Sequence, residues 1–202
     1  MALWIAAEPL VLASKSASRL ALLAGAGIAV EVLPADIDER GIEAKAPAAD
    51  AGAAAVLLAR EKSRAVAAQR PGRLVLGADQ TLALGAQRFS KPADRAGAAD
   101  QLRALRGETH ALHSALAVMR DSETLFEHAD VARLTMRMFS DRFLEQYLDL
   151  ASDAVTSSVG AYQLEKAGIQ LFERIEGDYF TILGLPLLPL LDFFRRERCL
   201  AE

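Results

Sequence analysis

Residues 10–19 read LVLASKSASR, an apolar run followed at once by hydroxyl and basic side chains. The run at 10–13 predicts a short buried strand. Ser16 is a typical helix N-cap, and a helix is expected over 17–24, ending at the glycines that follow. A strand that leads directly into a helix start favours anion binding, because the helix dipole and the free backbone N–H groups both attract negative charge.

The rest of the chain continues this alternation of strands and helices. Because it contains no internal repeat or low-complexity linker, an α/β or α+β domain is indicated. Residues 34–39 are expected to form an acidic loop, and Val56 and Ala59 are expected in the buried seam of the longest helix. The further strands are predicted at 30–33, 74–78, 111–119 and 129–138, and the further helices at 49–69, 93–105, 141–150 and 186–196.

Composition limits the classes of protein to consider. With 202 residues and a mass of 21.7 kDa, the chain is long enough for one core, or for one domain with two lobes around a cleft. Its 52% hydrophobic and 25% charged residues are typical of a globular protein. A net charge of -4 provides no general basic field. Binding to a nucleic-acid backbone is therefore not expected, and any phosphate must be held locally.

The expected location follows from the cysteine content and from the apolar segments. Cys199 is the only cysteine, so neither an internal disulfide nor a cysteine-based zinc site can form, which suits a reducing compartment. Residues 1–12 lack the basic start of a signal peptide. The longest apolar stretch, 182–191, is too short to cross a bilayer. A cytoplasmic protein without a membrane segment is expected.

The first candidate site is the junction at residues 14–19. Ser14, Lys15, Ser16 and Arg19 bring hydroxyls and positive charges to the predicted helix start, and these are the groups that a triphosphate needs. The alternative is a capped helix with two solvated basic side chains.

Asp79 is the second candidate, since it follows the apolar strand predicted at 74–78 and precedes Gln80. An ionised carboxylate beside a core is unfavourable unless a cation or several donors satisfy it. Asp79 is therefore interpreted as a metal ligand or a general base. An ordinary turn aspartate at the end of a strand is the alternative.

Weaker signals accompany these two. Asp36, Asp38 and Glu39 crowd three carboxylates into four positions, as a hard divalent cation would require, although such clusters are usually solvated loops. Lys62 falls at the edge of the long helix's buried seam. Lys91 lies in a stiff turn before a proline, where it could clamp a phosphate or simply face solvent.

Several other kinds of site are not supported. The chain has no phosphate-binding loop of the Gly-x-x-x-x-Gly-Lys type, no complete dinucleotide fingerprint and no nucleophile elbow. His110 and His113 have no evident third ligand, so a structural or surface role is favoured over a zinc site.

Taken in order, seven short segments between about Leu10 and Phe194 resemble motifs of the Maf family, the septum-formation-inhibitor-like proteins. Any one of these motifs alone would be weak evidence for the resemblance, but seven in the same order are strong evidence. They are LASKSASR at 12–19, DE at 38–39, EK at 61–62, GADQ at 77–80, SKP at 90–92, GAY at 160–162 and GLP at 184–186.

The resemblance implies an enzyme that hydrolyses nucleoside triphosphates between the α and β phosphates, with a divalent metal, Mg²⁺ or Mn²⁺. It also implies an elongated α/β fold with a mixed sheet, similar to the inosine triphosphatase type, as one domain over 1–202 with two lobes around a cleft, and a homodimer. By the motif match, Asp79 would be the catalytic carboxylate and Glu39 would join it at the metal. The implied substrate contacts are Ser14, Lys15, Ser16, Arg19, Lys62, Gln80, Lys91 and Glu165.

The chain also departs from the family pattern. Ala17 and Ser18 replace a proline and an arginine, so one phosphate contact is missing or is supplied by Lys15. Gln80 and Glu165 resemble the branch of the family that acts on 7-methyl-GTP, whose cationic ring a carboxylate would favour. A nucleotide-binding regulator of septum formation without useful catalysis is the alternative from another class.

Overall fold

The computed structural model describes residues 3–45 and 50–201. Within these ranges seven strands form one mixed sheet in the order β2-β1-β3-β5-β6-β7, and β4 pairs with β3. The mixed α/β class expected from the sequence is confirmed. The strands are β1 Leu10–Leu12, β2 Val30–Val32, β3 Val75–Leu84, β4 Gln87–Phe89, β5 Thr109–Arg120, β6 Glu123–Met136 and β7 Phe172–Glu176.

Helices cover both faces of this sheet. Two short 3-10 helices, Val159–Ala161 and Ala167–Leu171, precede β7. Ala49, the predicted first residue of the longest helix, lies outside the described residues. None of the helices in the described ranges combines the length and the hydropathy that a membrane span requires. The α-helices are α1 Ala17–Gly25, α2 Glu39–Lys45, α3 Ala51–Ala67, α4 Arg95–Leu105, α5 Asp141–Ala151, α6 Ala154–Ser157, α7 Tyr179–Ile182 and α8 Leu187–Arg196.

β1 lies at the centre of the parallel part of the sheet. It pairs in parallel with β2 and with the start of β3, whereas all the other pairings are antiparallel. Parallel neighbours need a crossover, and the chain provides one helix, α1, between β1 and β2. Because side chains alternate along a strand, Leu10 and Leu12 pack on one face of the sheet with Phe194, and Val11 packs on the other face with Val66.

The structure differs from the predictions in several details. β3 continues to Leu84, so Asp79 lies within the strand and pairs with Ala115 of β5 rather than following the strand end. β5 and β6 form one long hairpin that turns at 121–122, which is longer than the two separate segments expected. The predicted acidic loop ends one residue early, because Glu39 begins α2. Val56 is only half-buried, although the seam prediction holds for Ala59.

α3 approaches β3 very closely, and Gly77 makes this possible. A Cβ added at Gly77 would lie 2.2 Å from the carbonyl oxygen of Ala59 and 2.6 Å from the backbone nitrogen of Ser63. Ala55, Ala59 and Ala115 continue this contact as a cluster of small buried side chains. The small residues therefore set the distance between the helix and the sheet.

The substitution Gly77→Ala should destabilise the protein by about 1–3 kcal/mol, because the added methyl group must push α3 away from β3. Urea denaturation measures the free energy of unfolding. Gly25→Ala is the matched control, since a Cβ there meets nothing within 4 Å. Equal stabilities of the two variants would contradict this account of the contact.

His110 and Tyr162 form a polar pair that is buried in the core. Nε2 of His110 is 2.7 Å from the hydroxyl of Tyr162, and the histidine is only 1% exposed. Its Nδ1 has no hydrogen-bond partner among the described residues. Burial lowers the pKa of His110 from 6.5 to about 4, because the charged imidazolium would lose its hydration. The folded protein thus holds this histidine neutral.

The free energy of unfolding should decrease as the pH is lowered from about 6.5 to about 4. In this window the unfolded chain binds a proton at His110 and the folded chain does not, so protonation favours unfolding, by about 3 kcal/mol at the lower end. Denaturation curves across this range should show a smaller loss for His110→Gln than for the wild type. Identical pH dependence of the two proteins would contradict the assignment.

Candidate active site

A buried arginine links three distant segments at the start of α1. Nη1 of Arg19 donates hydrogen bonds to the carbonyl oxygen of Ala78 at 2.8 Å and to Oγ of Ser14 at 3.1 Å, and Nε donates to the carbonyl oxygen of Gly184 at 2.9 Å. The residue is only 9% exposed. Oγ of Ser16 accepts from the backbone N–H of Arg19 and caps the helix, as predicted.

The guanidinium of Arg19 keeps part of its binding capacity. No described residue accepts a hydrogen bond from Nη2, so this nitrogen remains for a ligand. Burial lowers the pKa of Arg19, and the negative charges of Asp79 and Glu39 oppose that effect. An arginine stays protonated in proteins, so a fixed positive charge lies here.

Lys62 lies between two carboxylates. Its Nζ is 2.5 Å from Oδ1 of Asp79 and 2.8 Å from Oε1 of Glu39. The three side chains come from β3, α2 and α3, so the cluster forms only when the sheet and these helices pack together. Asp79 is 8% exposed, and burial raises the pKa of its carboxyl, while the charges of Lys62 and Arg19 act in the opposite direction.

These contacts bring five of the predicted site residues into one place, which we call the phosphate cluster: Ser14, Arg19, Glu39, Lys62 and Asp79. The acids and bases predicted from distant segments thus lie close together. Their roles in binding and catalysis stay predictions.

Gln80 adjoins this cluster and is held by a network of its own. Its Nε2 lies 2.9 Å from Oγ of Ser114, 3.1 Å from the carbonyl oxygen of Thr181 and 3.0 Å from that of Ile182. Three oxygens around one nitrogen fix the orientation of the amide. Its Oε1 is therefore the group left to accept a hydrogen bond from a ligand.

Glu165 is exposed and lies before the second 3-10 helix. Its Oε1 accepts a hydrogen bond from Oγ of Ser18 at 3.4 Å, and Ser18 is the residue that precedes Arg19. The loop that contains Glu165 therefore reaches the start of α1.

The structure does not bring every predicted residue to the cluster. Lys91 is exposed in the segment between β4 and α4, and Lys15 is exposed just before α1. Within the described ranges, neither side chain forms an ion pair with a member of the cluster. The expectation that Lys15 compensates for Ser18 thus has no contact to support it.

Other participating residues were not foreseen. Ser114 donates to the carbonyl oxygen of Thr181 at 2.7 Å, and Oγ1 of Thr181 donates to Asp130 at 3.0 Å. These residues hold Gln80, but they lie at least 34 positions from it in the chain. No local pattern in the sequence marks them, because the pairing of β5 with β3 and β6, and the packing of α7 on β5 and β6, bring them together.

The residues present are compatible with a divalent metal shared with a substrate. In the described ranges no group of three His, Cys, Asp or Glu side chains is placed to hold a metal ion. Asp79 and Glu39, however, converge on a single positive charge, the Nζ of Lys62. Mg²⁺ commonly binds through one or two carboxylates together with water and substrate phosphates.

Comparisons with known proteins find relatives that match the whole chain or nearly all of it. The chain is 57% identical to a nucleoside triphosphate pyrophosphatase of Rhodopseudomonas palustris strain HaA2 and 58% identical to one of Bradyrhizobium diazoefficiens, over 100% of the chains in both cases. It is 52% identical to a 7-methyl-GTP pyrophosphatase of Mesorhizobium japonicum, over 91% of this chain and 94% of that one. The family profile described as Maf-like protein matches residues 9–197. The chain therefore belongs to the Maf family.

Proposed function

We propose that this protein is a nucleoside triphosphate pyrophosphatase, which converts a nucleoside triphosphate and water into a nucleoside monophosphate and pyrophosphate. The observation that carries the proposal is the phosphate cluster, where Arg19 and Lys62 flank the nearly buried Asp79. The names of relatives that are 57% and 52% identical support the same activity. The single cysteine also favours the cytoplasm as its location.

In this proposal the positive side chains hold the phosphates. Arg19 offers the N–H groups of Nη2, and the start of α1 adds backbone N–H groups and the positive end of its dipole. Because Arg19 is fixed by three hydrogen bonds, it needs little rearrangement when the charge on the leaving pyrophosphate develops.

Asp79 accepts the proton in the proposed reaction. The oxygen of a water molecule bonds to the α phosphorus, one proton of that water passes to the Asp79 carboxylate, and the bond from the α phosphorus to the bridging oxygen breaks. The electron pair leaves with pyrophosphate. A raised pKa suits a general base, because its proton affinity then lies closer to the working pH.

Glu39 and Asp79 would hold a divalent cation in this scheme, with substrate oxygens completing its coordination. The chemistry that Mg²⁺ or Mn²⁺ would supply is neutralisation of negative charge on the phosphates. Lys62 contacts both carboxylates and balances part of their negative charge before substrate binds.

The substitution Asp79→Asn should lower kcat for pyrophosphate release by about 10²–10⁴-fold, because the amide cannot accept the proton. The fold should persist, since Lys62 still pairs with Glu39 at 2.8 Å. The release of pyrophosphate is measured in a coupled assay. The substrates are 7-methyl-GTP, UTP, dTTP and ITP, each with Mg²⁺ or Mn²⁺. Asp100→Asn, an exposed carboxylate on α4, is the matched control. Normal turnover by Asp79→Asn would refute the assignment.

A preference for 7-methyl-GTP is a second candidate, and the environment of Glu165 favours it. This exposed carboxylate forms no ion pair with a described residue, so it remains available to a cationic ring. Gln80 presents its carbonyl oxygen, which suits a ligand group that donates a hydrogen bond. The relative named 7-methyl-GTP pyrophosphatase adds support.

The substitution Glu165→Gln should reduce the ratio of kcat/KM for 7-methyl-GTP to that for GTP by about fivefold, because one charge pair at 4 Å in water contributes ~1 kcal/mol. Steady-state kinetics with both nucleotides measures the ratio. Glu173→Gln, on β7, removes another exposed carboxylate and serves as the control. An unchanged ratio for Glu165→Gln would remove the support for this preference.

The alternative from another class is a nucleotide-binding regulator of septum formation that lacks useful catalysis. Ser18 in place of the family's arginine is the observation behind it. Metal-dependent turnover of any triphosphate in the panel by the wild type decides against it.

A further inference from the structure

Among the described residues, the ammonium group of Lys62 is held only by opposite charges. Its Nζ lies 2.5 Å from Oδ1 of Asp79 and 2.8 Å from Oε1 of Glu39, and it donates to no backbone carbonyl there. Arg19, in contrast, is fixed by two carbonyl oxygens and a hydroxyl. Lysine also has a flexible stem of four carbons. Of the two cations in the phosphate cluster, Lys62 is therefore the one that can move.

The ammonium group lies in the place that a metal shared by Asp79 and Glu39 would need. Mg²⁺ binds oxygen ligands at about 2.0–2.1 Å, so an ion held by both side chains has to lie between the two oxygens that now face Nζ. Two positive charges cannot share that place, because they overlap and repel each other. The ammonium group and the metal are therefore alternative occupants.

The two carboxylates differ in their freedom to adapt to a new occupant. Asp79 lies inside β3, where it pairs with Ala115 of β5, and it is only 8% exposed. Glu39 begins the short helix α2, in which no residue is buried, and its side chain is 51% exposed. Elements with few buried contacts adjust most easily. One carboxylate is therefore fixed, and the other can follow the change of occupant.

The charges of the cluster balance without any ligand, since two carboxylates face two cations, Lys62 and Arg19. A divalent cation alone would leave an excess of positive charge, and a triphosphate alone an excess of negative charge. The side chains of Lys62 and Asp79 are only 13% and 12% exposed, and unbalanced charge with so little access to water is unfavourable. The two ligands compensate each other only when they enter together.

We propose that Lys62 fills the cation position between Asp79 and Glu39 in the free protein and transfers its Nζ to the triphosphate when metal and nucleotide bind together. The inference rests on the proposed function and adds an order of binding: the protein holds a metal only weakly until the nucleotide takes over the ammonium group. Such coupling is reciprocal, so the metal strengthens nucleotide binding by the same factor. Lys62 thus competes with the metal in the free protein and contacts the phosphates in the complex.

Lys62→Met should bind Mn²⁺ without nucleotide at least about tenfold more tightly than the wild type, because the competing charge is gone and both carboxylates remain. Isothermal titration calorimetry with MnCl₂ measures the affinity. The gain should disappear in the double variant Lys62→Met/Glu39→Gln, which lacks one of the two carboxylates. Arg64→Met is the matched control on α3, since it removes an exposed cation that pairs with Glu61, and it should leave the Mn²⁺ affinity unchanged.

A second measurement separates this role from a purely structural one. With Mn²⁺ present, Lys62→Met should bind the non-hydrolysable α,β-methylene analogue of GTP about tenfold more weakly, because a charged hydrogen bond to the phosphates is lost. A lysine that only supported the fold would weaken the binding of both ligands when it is replaced. Tighter binding of Mn²⁺ together with weaker binding of the analogue is therefore the expected result.

The test also covers a variant that does not fold by itself. If Lys62→Met is unfolded without metal, Mn²⁺ should restore the far-UV circular dichroism of the wild type, because a ligand of the folded state shifts the equilibrium towards it. Four results would overturn the proposal: no gain in Mn²⁺ affinity, a gain that persists in the double variant, an equal gain in Arg64→Met, or an unchanged affinity for the analogue. An unfolded variant that Mn²⁺ does not restore would overturn it as well.

The outcome can be separated from a failure of the proposed function, because the Mn²⁺ titration uses no nucleotide. If Lys62→Met gains Mn²⁺ affinity but the wild type releases no pyrophosphate, the place of Lys62 at the cation position stands and the enzyme assignment falls. If the wild type releases pyrophosphate and the variant gains no Mn²⁺ affinity, only the assignment of Lys62 falls. If the variant gains none and the wild type releases no pyrophosphate, both fall.

Discussion

The ion pair between Lys62 and Asp79 is the contact on which the site depends. Nζ and Oδ1 are 2.5 Å apart, and the two side chains are only 13% and 12% exposed. Charges with so little access to water need a partner, because a lone buried charge is strongly unfavourable. The pair forms only because α3 lies so close to β3, and Gly77 permits that distance. The packing of small residues therefore determines the electrostatics of the site.

The sequence was sufficient for those parts of the fold in which a local pattern determines the structure. Apolar runs and capping residues predicted β1, α1, α4, α5 and α8 to within a few residues. The predicted end of β3 was wrong because the polar residue Asp79 was taken to follow the strand. In the structure β3 continues past Asp79, since it pairs with the long strand β5, which is distant in the sequence. Short elements such as α2, α7 and β7 have too few residues to produce a periodic pattern.

The residues of the candidate site also differ in whether a local pattern in the sequence could identify them. Ser14, Arg19 and Asp79 are identifiable because each stands at a change from apolar to polar sequence. The acidic run at 36–39 and the edge of the helix seam marked Glu39 and Lys62 only weakly, and the motif match gave each of them a role. Thr181 and the carbonyl of Gly184 could not be predicted, since their function depends on atoms from segments far apart in the chain. The position of Lys91 near a substrate and the division into two lobes stay predictions.

The hydrogen bond from Arg19 to Gly184 joins residues that are 165 positions apart. During synthesis from the N-terminus, every member of the phosphate cluster has been made long before Gly184 is added. Arg19 then still lacks one of the carbonyl oxygens that fix its guanidinium. A growing chain thus cannot fix this guanidinium completely until the segment around Gly184 has also left the ribosome, 165 positions after the arginine itself.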